Sequence, residues 1–379
     1  MSVCVQSTLA GTHGDRAEVL WETAGCPLCG GRRWIAMDDA PVFLWEDRRC
    51  TAVVCQGCGT CFTTPRPTAA TIHRFYGNYE PHSTCGLSAA ERRKQLGPRR
   101  RWKFWKYYHP QRHGLPLHGK GRLLDFGCGA GAYLEMMHRQ GWQVVGLDVC
   151  AEVVERIRTE LRLTALTGTL PHAELPPESF DVVTMWHSLE HVYDPVEVLR
   201  HVWRVLAPGG KLVLGVPNVG GAPRRWFGRS WYGWSLPHHL THFTPHTLRQ
   251  AVEHAGFQVD DVRLPGNPFW LRASAEAACR QDGGKRWGHA LRNRWLSRQA
   301  ANYLQWAGRS DEMVMTAVKP ADATITPPRK YVRLSSLTQE QGQAGKPDVP
   351  GSLACRGSTP TVPAEHDCRV PGTLQTCPT

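Results

Sequence analysis

The sequence predicts a doubly wound α/β fold that follows a small cysteine-rich unit. Short apolar runs and amphipathic segments alternate from Gly121 onward, a pattern typical of a parallel sheet with helices on both faces. A glycine-rich turn at 127–131 joins the first of these strands to the first helix, and two Cys-x2-Cys pairs stand upstream at 26–29 and 55–58. The prediction of the fold class depends on these three features.

Length and composition narrow the class of protein. The 379 residues are enough for two or three domains, at about 150 residues each. With 41% hydrophobic and 21% charged residues, the chain is globular rather than disordered throughout. It has no apolar run of about 18 residues, which excludes a membrane span. Charged residues at 15–18, where a signal peptide would be apolar, predict a cytoplasmic protein with reduced cysteines.

Changes in composition divide the chain into segments. We expect a loose leader at 1–23, the cysteine-rich unit at 24–64, connecting basic and aromatic helices at 65–118, the core at 119–319 with an insert at 267–309, and a proline-rich, disordered tail at 320–379. The first connecting helix is predicted at 68–79 from its apolar spacing.

Periodicity places the elements of the core. Strands are predicted at 122–126, 142–148, 163–166, 181–186, 211–218, 257–264 and 312–318. Helices are predicted at 131–141, 151–161, 195–206 and 247–255, with Pro208-Gly209-Gly210 as the stop signal of the third.

The positive charge is concentrated in two short segments. The formal net charge is +12, but 92–112 alone carries +9 and 263–319 carries +6, so the remainder is slightly acidic. The first segment interleaves arginines with aromatics at 99–109, which is typical of nucleic-acid binding and equally of an amphipathic helix packed on the core. If both segments lie beside the strand ends, they favour an anionic small molecule over a broad nucleic-acid face.

The glycine-rich turn predicts a nucleoside cofactor. Gly127 and Gly129 permit a tight turn and close approach of the backbone to a ligand. Asp148 ends the next strand, where it would accept hydrogen bonds from ribose hydroxyls. The glycines also fit a dinucleotide pattern, but Asp125, two residues before Gly127, would repel a pyrophosphate. That acid suits a cationic amino-acid moiety and indicates S-adenosylmethionine.

These motifs carry a family resemblance. Asp125-x-Gly127-x-Gly129-x-Gly131, Gly146-Leu147-Asp148, Gly168-Thr169-Leu170, Leu189-Glu190-His191-Val192 and Leu206-Ala207-Pro208-Gly209-Gly210 match, in order, the motifs of class I S-adenosylmethionine-dependent methyltransferases. The stretch from Gly121 to Lys319 resembles that class. The resemblance implies a Rossmann-like sheet with a final antiparallel strand. It also implies a cofactor site formed by Asp125, Gly127, Cys128, Gly129, Gly131, Asp148, Thr169, Leu170 and Trp186.

The cysteine pairs predict a structural zinc site. Cys26, Cys29, Cys55 and Cys58 have the spacing of a zinc ribbon, whose four thiolates leave no open position for catalysis. Followed by the TPRPT and FYGNY segments and the methyltransferase-like core, the ribbon resembles that of a bacterial group of small-molecule methyltransferases. That resemblance implies a small-molecule acceptor, such as a sugar or a secondary metabolite.

Three histidines are candidate bases for the acceptor. His187 and His191 follow the fourth strand of the core, and His239 lies in a Pro-x-His-Leu segment that resembles one of the same family. Histidine titrates near neutrality, which suits a general base, but each could instead bond to the backbone. Ubiquinone-pathway O-methyltransferases use a related Glu-His pair to hold a divalent metal. His187 stands where those enzymes carry a further acid, so the resemblance does not extend to that metal.

Two further functions stay open at this point. Some ribosomal RNA methyltransferases also carry an N-terminal zinc ribbon, so an RNA substrate is the first alternative. The signature of nucleic-acid amino-methylases, Asn or Asp before Pro-Pro-aromatic after the fourth strand, is absent here, where Trp186-His187-Ser188-Leu189 stands. The second alternative is a non-catalytic protein that binds the cofactor and uses the ribbon to interact with a partner.

Overall fold

A computed structural model of the chain describes residues 18–76, Tyr108, Leu115, 120–282 and 286–321. Most of the predicted leader, the basic aromatic run at 99–109 apart from Tyr108, and the predicted disordered tail beyond 321 lie outside the described residues. The predictions for those segments therefore remain predictions.

The cysteine-rich unit contributes strands to two small antiparallel sheets. Its strands are β1 (Trp21–Glu22), β2 (Trp34–Ala36), β3 (Phe43–Trp45), β4 (Arg48–Cys55), β5 (Cys61–Thr64) and β6 (Arg66–Pro67). β4 pairs with β2, β3 and β5, while β1 pairs with β6. Phe62 is fully buried on β5 and packs edge-on against Trp34, so the sheet has an apolar side.

The core is a seven-stranded sheet. Its strands are β7 (Arg122–Phe126), β8 (Gln143–Asp148), β9 (Thr164–Thr167), β10 (Phe180–Trp186), β11 (Leu206–Pro217), β13 (Gln258–Arg263) and β14 (Glu312–Val318), in the order β13-β14-β11-β10-β7-β8-β9. β14 runs antiparallel to both its neighbours, and the pairs from β11 to β9 are parallel. The predicted Rossmann-like sheet with a final antiparallel strand is confirmed.

The helices bury their apolar faces, some against the seven-stranded sheet and others against one another. They are α1 (Ala132–Arg139), α2 (Ala151–Arg156), α3 (Pro195–Val205), α4 (Ala222–Phe227), α5 (Pro245–His254), α6 (Pro268–Asp282), α7 (Arg286–Leu291) and α8 (Arg294–Trp306). Asp194 begins α3 by accepting from the Glu197 amide, as an N-cap residue does. None of the helices within the described residues has both the length and the apolar character needed to cross a membrane.

Two predicted helices differ from the observed chain path. The helix predicted at 151–161 ends at Arg156 and continues as a π turn, Ile157–Leu161. In the helix predicted at 68–79, the described part forms only one 3-10 turn, Ile72–Phe75. There the Thr68 amide and the Thr71 hydroxyl donate to the Leu20 carbonyl. These bonds tie the segment to the chain before β1 and hold it as a turn.

The cysteine-rich unit and the core share a sheet. A two-residue strand of the core, β12 (Thr241–His242), pairs with β5 and forms the edge of the β12-β5-β4-β2 sheet. An ion pair between Asp39 and Arg224 of α4 adds a second link. The histidine-rich segment that the sequence placed in the core is therefore also part of the ribbon sheet.

Candidate active site

The glycine loop lies where the strand order reverses. β7 and β10 are neighbours, and ligands of doubly wound sheets bind past the carboxyl ends of such strands. Gly127 has a φ of 70°, and a Cβ there would lie 2.5 Å from the Ser188 Cβ. Gly129 has a φ of 47°, and a Cβ there would meet nothing within 4 Å. The loop thus packs tightly at Gly127 and is open at Gly129, where the backbone is available to a ligand.

Asp148 links the glycine loop to the end of β8. One carboxylate oxygen accepts the Gly129 amide at 2.9 Å, and the other accepts the Cys150 amide at 2.9 Å. A carboxylate has about four acceptor sites, so both oxygens keep capacity for the hydroxyls of a ribose. This geometry agrees with the predicted role of Asp148, which stays a proposal.

Asp125 is buried beside the loop. Its carboxylate accepts the Thr184 hydroxyl at 2.7 Å across the β7–β10 pair. Burial raises the pKa of Asp125 to about 7, with a further increase from the charge of Asp148, while the Thr184 hydrogen bond lowers it. Near neutral pH this carboxyl is therefore balanced between its two protonation states.

This balance predicts a pH-dependent affinity for S-adenosylmethionine. Only the ionised form of Asp125 attracts the cationic amino-acid moiety, so affinity should rise from about pH 6 to about pH 7.5, by at most about tenfold per pH unit. Isothermal titration at several pH values measures this. The variant Asp125→Asn should bind more weakly and show a flatter profile. A wild-type affinity that does not change over this range would contradict the assignment.

The other predicted cofactor residues differ in their burial. Cys128 belongs to the glycine loop and is buried, and its amide donates to the Leu147 carbonyl. Thr169 is exposed after β9, whereas Leu170 is buried in the core. Trp186 ends β10 and packs edge-on against Tyr108 and Tyr133.

His187 is held between two carboxylates. Its Nε2 lies 2.9 Å from Glu312 Oε1, and its Nδ1 lies 3.5 Å from Glu190 Oε1. Burial lowers its pKa, but the bonds and charges of Glu190 and Glu312 outweigh this and raise the pKa to about 10. The ring is therefore charged at neutral pH, which suits a partner of the two acids better than a base. Its contribution to stability is complete below about pH 6.5 and is lost as the pH rises through about 10.

His239 and His191 are neighbours that present the same ring nitrogen. His239 Nδ1 lies 2.9 Å from the Gly233 carbonyl, and His191 Nδ1 lies 3.0 Å from the His238 carbonyl. Because a carbonyl only accepts, each Nδ1 carries the hydrogen and each Nε2 is the basic nitrogen. The rings meet edge to face with centroids 4.7 Å apart. Burial, with the nearby His191 and His242, lowers the pKa of His239 well below its usual value.

Glu190 completes this group and was absent from the predicted catalytic residues. Its side chain is 1% exposed, and neither carboxylate oxygen has a hydrogen-bond partner among the described residues. Its carboxylate does form an ion pair with His187, whose Nδ1 lies 3.5 Å from Glu190 Oε1, but it lacks the hydrogen bonds that a buried charge usually has. The sequence signal was the Glu-His pair at 190–191, whose acid gained significance only when the fold placed His239 beside it.

Glu190, His191 and His239 could hold a metal ion. Each offers one ligand atom, and these atoms all lie within 4.8 Å of one another. Both histidines donate their Nδ1 hydrogen to a carbonyl, as metal-ligating histidines commonly do. This chain has His187 where the ubiquinone-pathway enzymes carry a further acid. His239 would supply the third ligand in place of that acid. The residues present fit a divalent cation.

The four predicted ribbon cysteines meet in one cluster. Their sulfurs lie within 4.8 Å of one another, with Cys26–Cys58 at 3.4 Å and Cys29–Cys55 at 3.5 Å. A Cβ at Gly31 would stand 3.2 Å from the Cys29 sulfur, so a side chain there would crowd the cluster. Four thiols this close suit a single tetrahedral ion.

Comparison with known proteins found a family match over part of the chain. Residues 91–262 match the family model described as "Methyltransferase domain". In the described part of this segment, the sheet order and the glycine loop agree with the resemblance to class I S-adenosylmethionine-dependent methyltransferases.

The chain is similar to named enzymes over part of its length. It is 42% identical over 108 residues to the ubiquinone biosynthesis O-methyltransferase of Vibrio cholerae, which covers 27% of this chain and 44% of the relative. It is 43% identical over 112 residues to that of Aliivibrio fischeri, covering 27% and 46%. The chain therefore spans less than half the length of these relatives. A solved S-adenosylmethionine-dependent methyltransferase from Mesorhizobium loti is 22% identical, with a TM-score of 0.38, covering 56% of this chain and 96% of that one.

Proposed function

We propose that the chain transfers the methyl group of S-adenosylmethionine to a hydroxyl of a small-molecule acceptor. One observation supports this proposal, namely that the loop bearing Glu190 and His191 packs against the glycine loop through Ser188. Ser188 donates to the Phe126 carbonyl at 3.0 Å and packs against Gly127. Glu190 and His191 follow two and three residues later, in the same short loop.

The reaction needs alignment and one proton transfer. Methyl transfer is an in-line displacement, in which the acceptor oxygen bonds to the methyl carbon as the carbon–sulfur bond breaks. The electron pair of that bond stays on sulfur, leaving S-adenosylhomocysteine and a methyl ether. His239 Nε2 accepts the hydroxyl proton, because Nδ1 already carries a hydrogen bonded to Gly233. Burial lowers the pKa of His239 and so favours the neutral imidazole, the form that can accept a proton.

A divalent cation is the second way in which this group could serve the acceptor. Glu190, His191 and His239 would hold it, and when bound it would act as a Lewis acid that makes the acceptor hydroxyl more acidic. The alternatives separate experimentally. Turnover that survives chelation after dialysis supports His239 as the base, and turnover restored by Mg²⁺ or Zn²⁺ supports the cation.

The cysteine cluster is proposed to hold one structural zinc ion. Cys26→Ser is expected to lower the zinc content from about one per chain toward zero and to reduce the melting temperature, because a structural zinc site contributes folding free energy. Metal analysis and thermal unfolding measure the two effects. Cys50→Ser is the matched control, since Cys50 is a buried cysteine of β4 outside the cluster. Zinc content that Cys26→Ser leaves unchanged would contradict the site.

The acceptor class rests on chemistry and similarity. The named relatives are O-methyltransferases of ubiquinone biosynthesis, which supports a hydroxyl acceptor. A sugar or a secondary metabolite remains the more specific proposal from the ribbon resemblance. An anionic acceptor also remains a proposal, because the insert belongs to the positively charged segment 263–319 and contacts the site. Asn267 donates to Glu312, and the ring of Trp270 lies beside that of His187.

Labelled S-adenosylmethionine tests the function directly. The full chain is incubated with methyl-labelled cofactor and extract of the host cell, and the labelled product is identified by mass spectrometry. A labelled methyl ether of a small molecule supports the proposal. Cofactor binding without any labelled product would favour the non-catalytic alternative, and the absence of cofactor binding would overturn both.

The RNA alternative has one structural observation in its favour. The outer face of α8 exposes Trp295, Tyr303 and Trp306, which are 65%, 59% and 82% exposed, and α8 also carries Arg294 and Arg298. Exposed aromatic rings beside arginines can stack on single-stranded bases. Filter binding to RNA over a salt series tests this alternative, because tight binding with a steep salt dependence is expected only if α8 or the basic segments bind phosphates.

A further inference from the structure

The histidine segment of the core depends on the ribbon for its position. The segment forms the edge strand β12 of the ribbon sheet, with Thr241 opposite Phe62 and His242 opposite Cys61. One step before this pair, the Thr63 amide donates to the Leu240 carbonyl at 3.0 Å. Backbone hydrogen bonds therefore run from β5 into the chain immediately after His239.

The Thr63 side chain adds a second link to the same histidines. Its hydroxyl donates to the His239 carbonyl at 2.7 Å and lies 3.1 Å from His242 Nε2. The carbonyl only accepts, so the hydroxyl hydrogen points there and its oxygen accepts the Nε2 hydrogen of His242. Thr63 and His242 are 0% and 3% exposed, so water does not readily replace either partner.

The other side of the group is held in a similar way. The Tyr76 hydroxyl lies 3.1 Å from His191 Nδ1, and His238 Nε2 lies 2.9 Å from the Phe75 carbonyl. Both contacts come from the turn that follows the ribbon. The catalytic domain alone thus leaves the placement of His191 and His239 incomplete.

We propose that the ribbon is a working part of the active site and that Thr63 is a positioning residue, which sets the place of His239 and the tautomer of His242. The inference rests on the proposed function, in which His239 receives the acceptor proton. Removing the hydroxyl would leave the His239 carbonyl and the His242 Nε2 hydrogen buried without a partner. The segment would then shift to recover hydrogen bonds. His239 Nε2 would move out of the position from which it accepts the proton of the acceptor hydroxyl.

The variants Thr63→Val and Thr63→Ser test this inference in the full chain. Valine keeps the shape of threonine without its hydroxyl, whereas serine keeps the hydroxyl. Nitrogen-15 NMR of the histidine rings in the metal-analysed protein should show changed tautomer signals for His242 and shifted ring signals for His239 in Thr63→Val only. Methyl transfer to host extract should fall at least about tenfold in Thr63→Val, as expected for a misplaced catalytic group, and should recover in Thr63→Ser.

Controls separate positioning from general damage to the ribbon. Thr51→Val removes a hydroxyl of β4 that donates to the Pro41 carbonyl and, within the described residues, forms no hydrogen bond to the histidine segment, so it should leave both readouts unchanged. Zinc content and cofactor affinity should remain at wild-type values in Thr63→Val. Unchanged histidine signals in Thr63→Val would overturn the inference. If instead the signals change while His239→Gln retains full methyl transfer, the positioning stands and the proposed base is wrong.

Discussion

Asp148→Asn is expected to weaken S-adenosylmethionine binding by roughly 10²–10⁴-fold, because two ribose hydroxyls would lose a charged acceptor at about 1.5–3 kcal/mol each. The structure adds a second cost. Both carboxylate oxygens already accept backbone amides, from Gly129 and Cys150. An asparagine NH₂ must face one of these donors, so the glycine loop would also lose its link to the end of β8. Isothermal titration with the purified chain measures the effect.

Asp181→Asn is the matched control for this prediction. Asp148 is at the carboxyl end of its strand, whereas Asp181 is near the amino end of β10, at the other edge of the sheet. Asp181 is exposed and accepts one backbone amide, that of Arg122 at 2.7 Å. Its replacement should leave cofactor affinity within about twofold of wild type, since surface changes usually have small effects. Wild-type affinity in Asp148→Asn would remove Asp148 from the cofactor site.

His239→Gln is expected to lower the rate of methyl transfer by about 10²–10⁴-fold, the usual contribution of a general base. Glutamine retains a donor for the Gly233 carbonyl but provides no basic nitrogen. Cofactor affinity should stay at the wild-type value, because the glycine loop and Asp148 are unchanged. Rates measured with labelled cofactor, together with titration of the same protein, separate the two steps.

His246→Gln controls for the loss of a histidine from this part of the chain. His246 is exposed on α5, so its replacement should change neither rate nor affinity. Two other outcomes distinguish the chemistry at the site. A rate loss in His239→Gln that excess Mg²⁺ or Zn²⁺ largely reverses would favour the cation held with Glu190 and His191. A rate equal to that of wild type would exclude both roles for His239.

Much of the fold could be predicted because its signals are local. The bounds predicted for β14, 312–318, are those observed. The strand is a mostly apolar run between a segment with Gly308 and Ser310 and the strand-ending Pro320. The cofactor loop follows from glycines whose backbone torsions other residues avoid, as at Gly127. The two wrong helix predictions have different origins. At the π turn after α2, periodicity alone does not distinguish one helical hydrogen-bond pattern from another. At 68–79, hydrogen bonds to Leu20, which is distant in the chain, hold the described part as a turn.

The chemistry of the histidines was not predictable in the same way. His187, His191 and His239 were equivalent candidates by residue type. The carboxylates of Glu190 and Glu312 outweigh burial and keep His187 charged, while burial and the neighbouring histidines keep His239 neutral. These opposite shifts depend on which side chains surround each ring, and those neighbours are far apart in the chain.

The alternation of strands and helices, the glycine loop and the spacing of the four cysteines could be predicted from the sequence, because each depends on residues that are close together or on a repeated pattern. Only the tertiary structure decided that the ribbon and the methyltransferase core share a sheet through β5 and β12, and that Glu190, His191 and His239 converge. The reason is that strand pairing and burial between residues such as Thr63 and His239, 176 positions apart, depend on the packing of the whole chain and leave no periodic trace in its sequence.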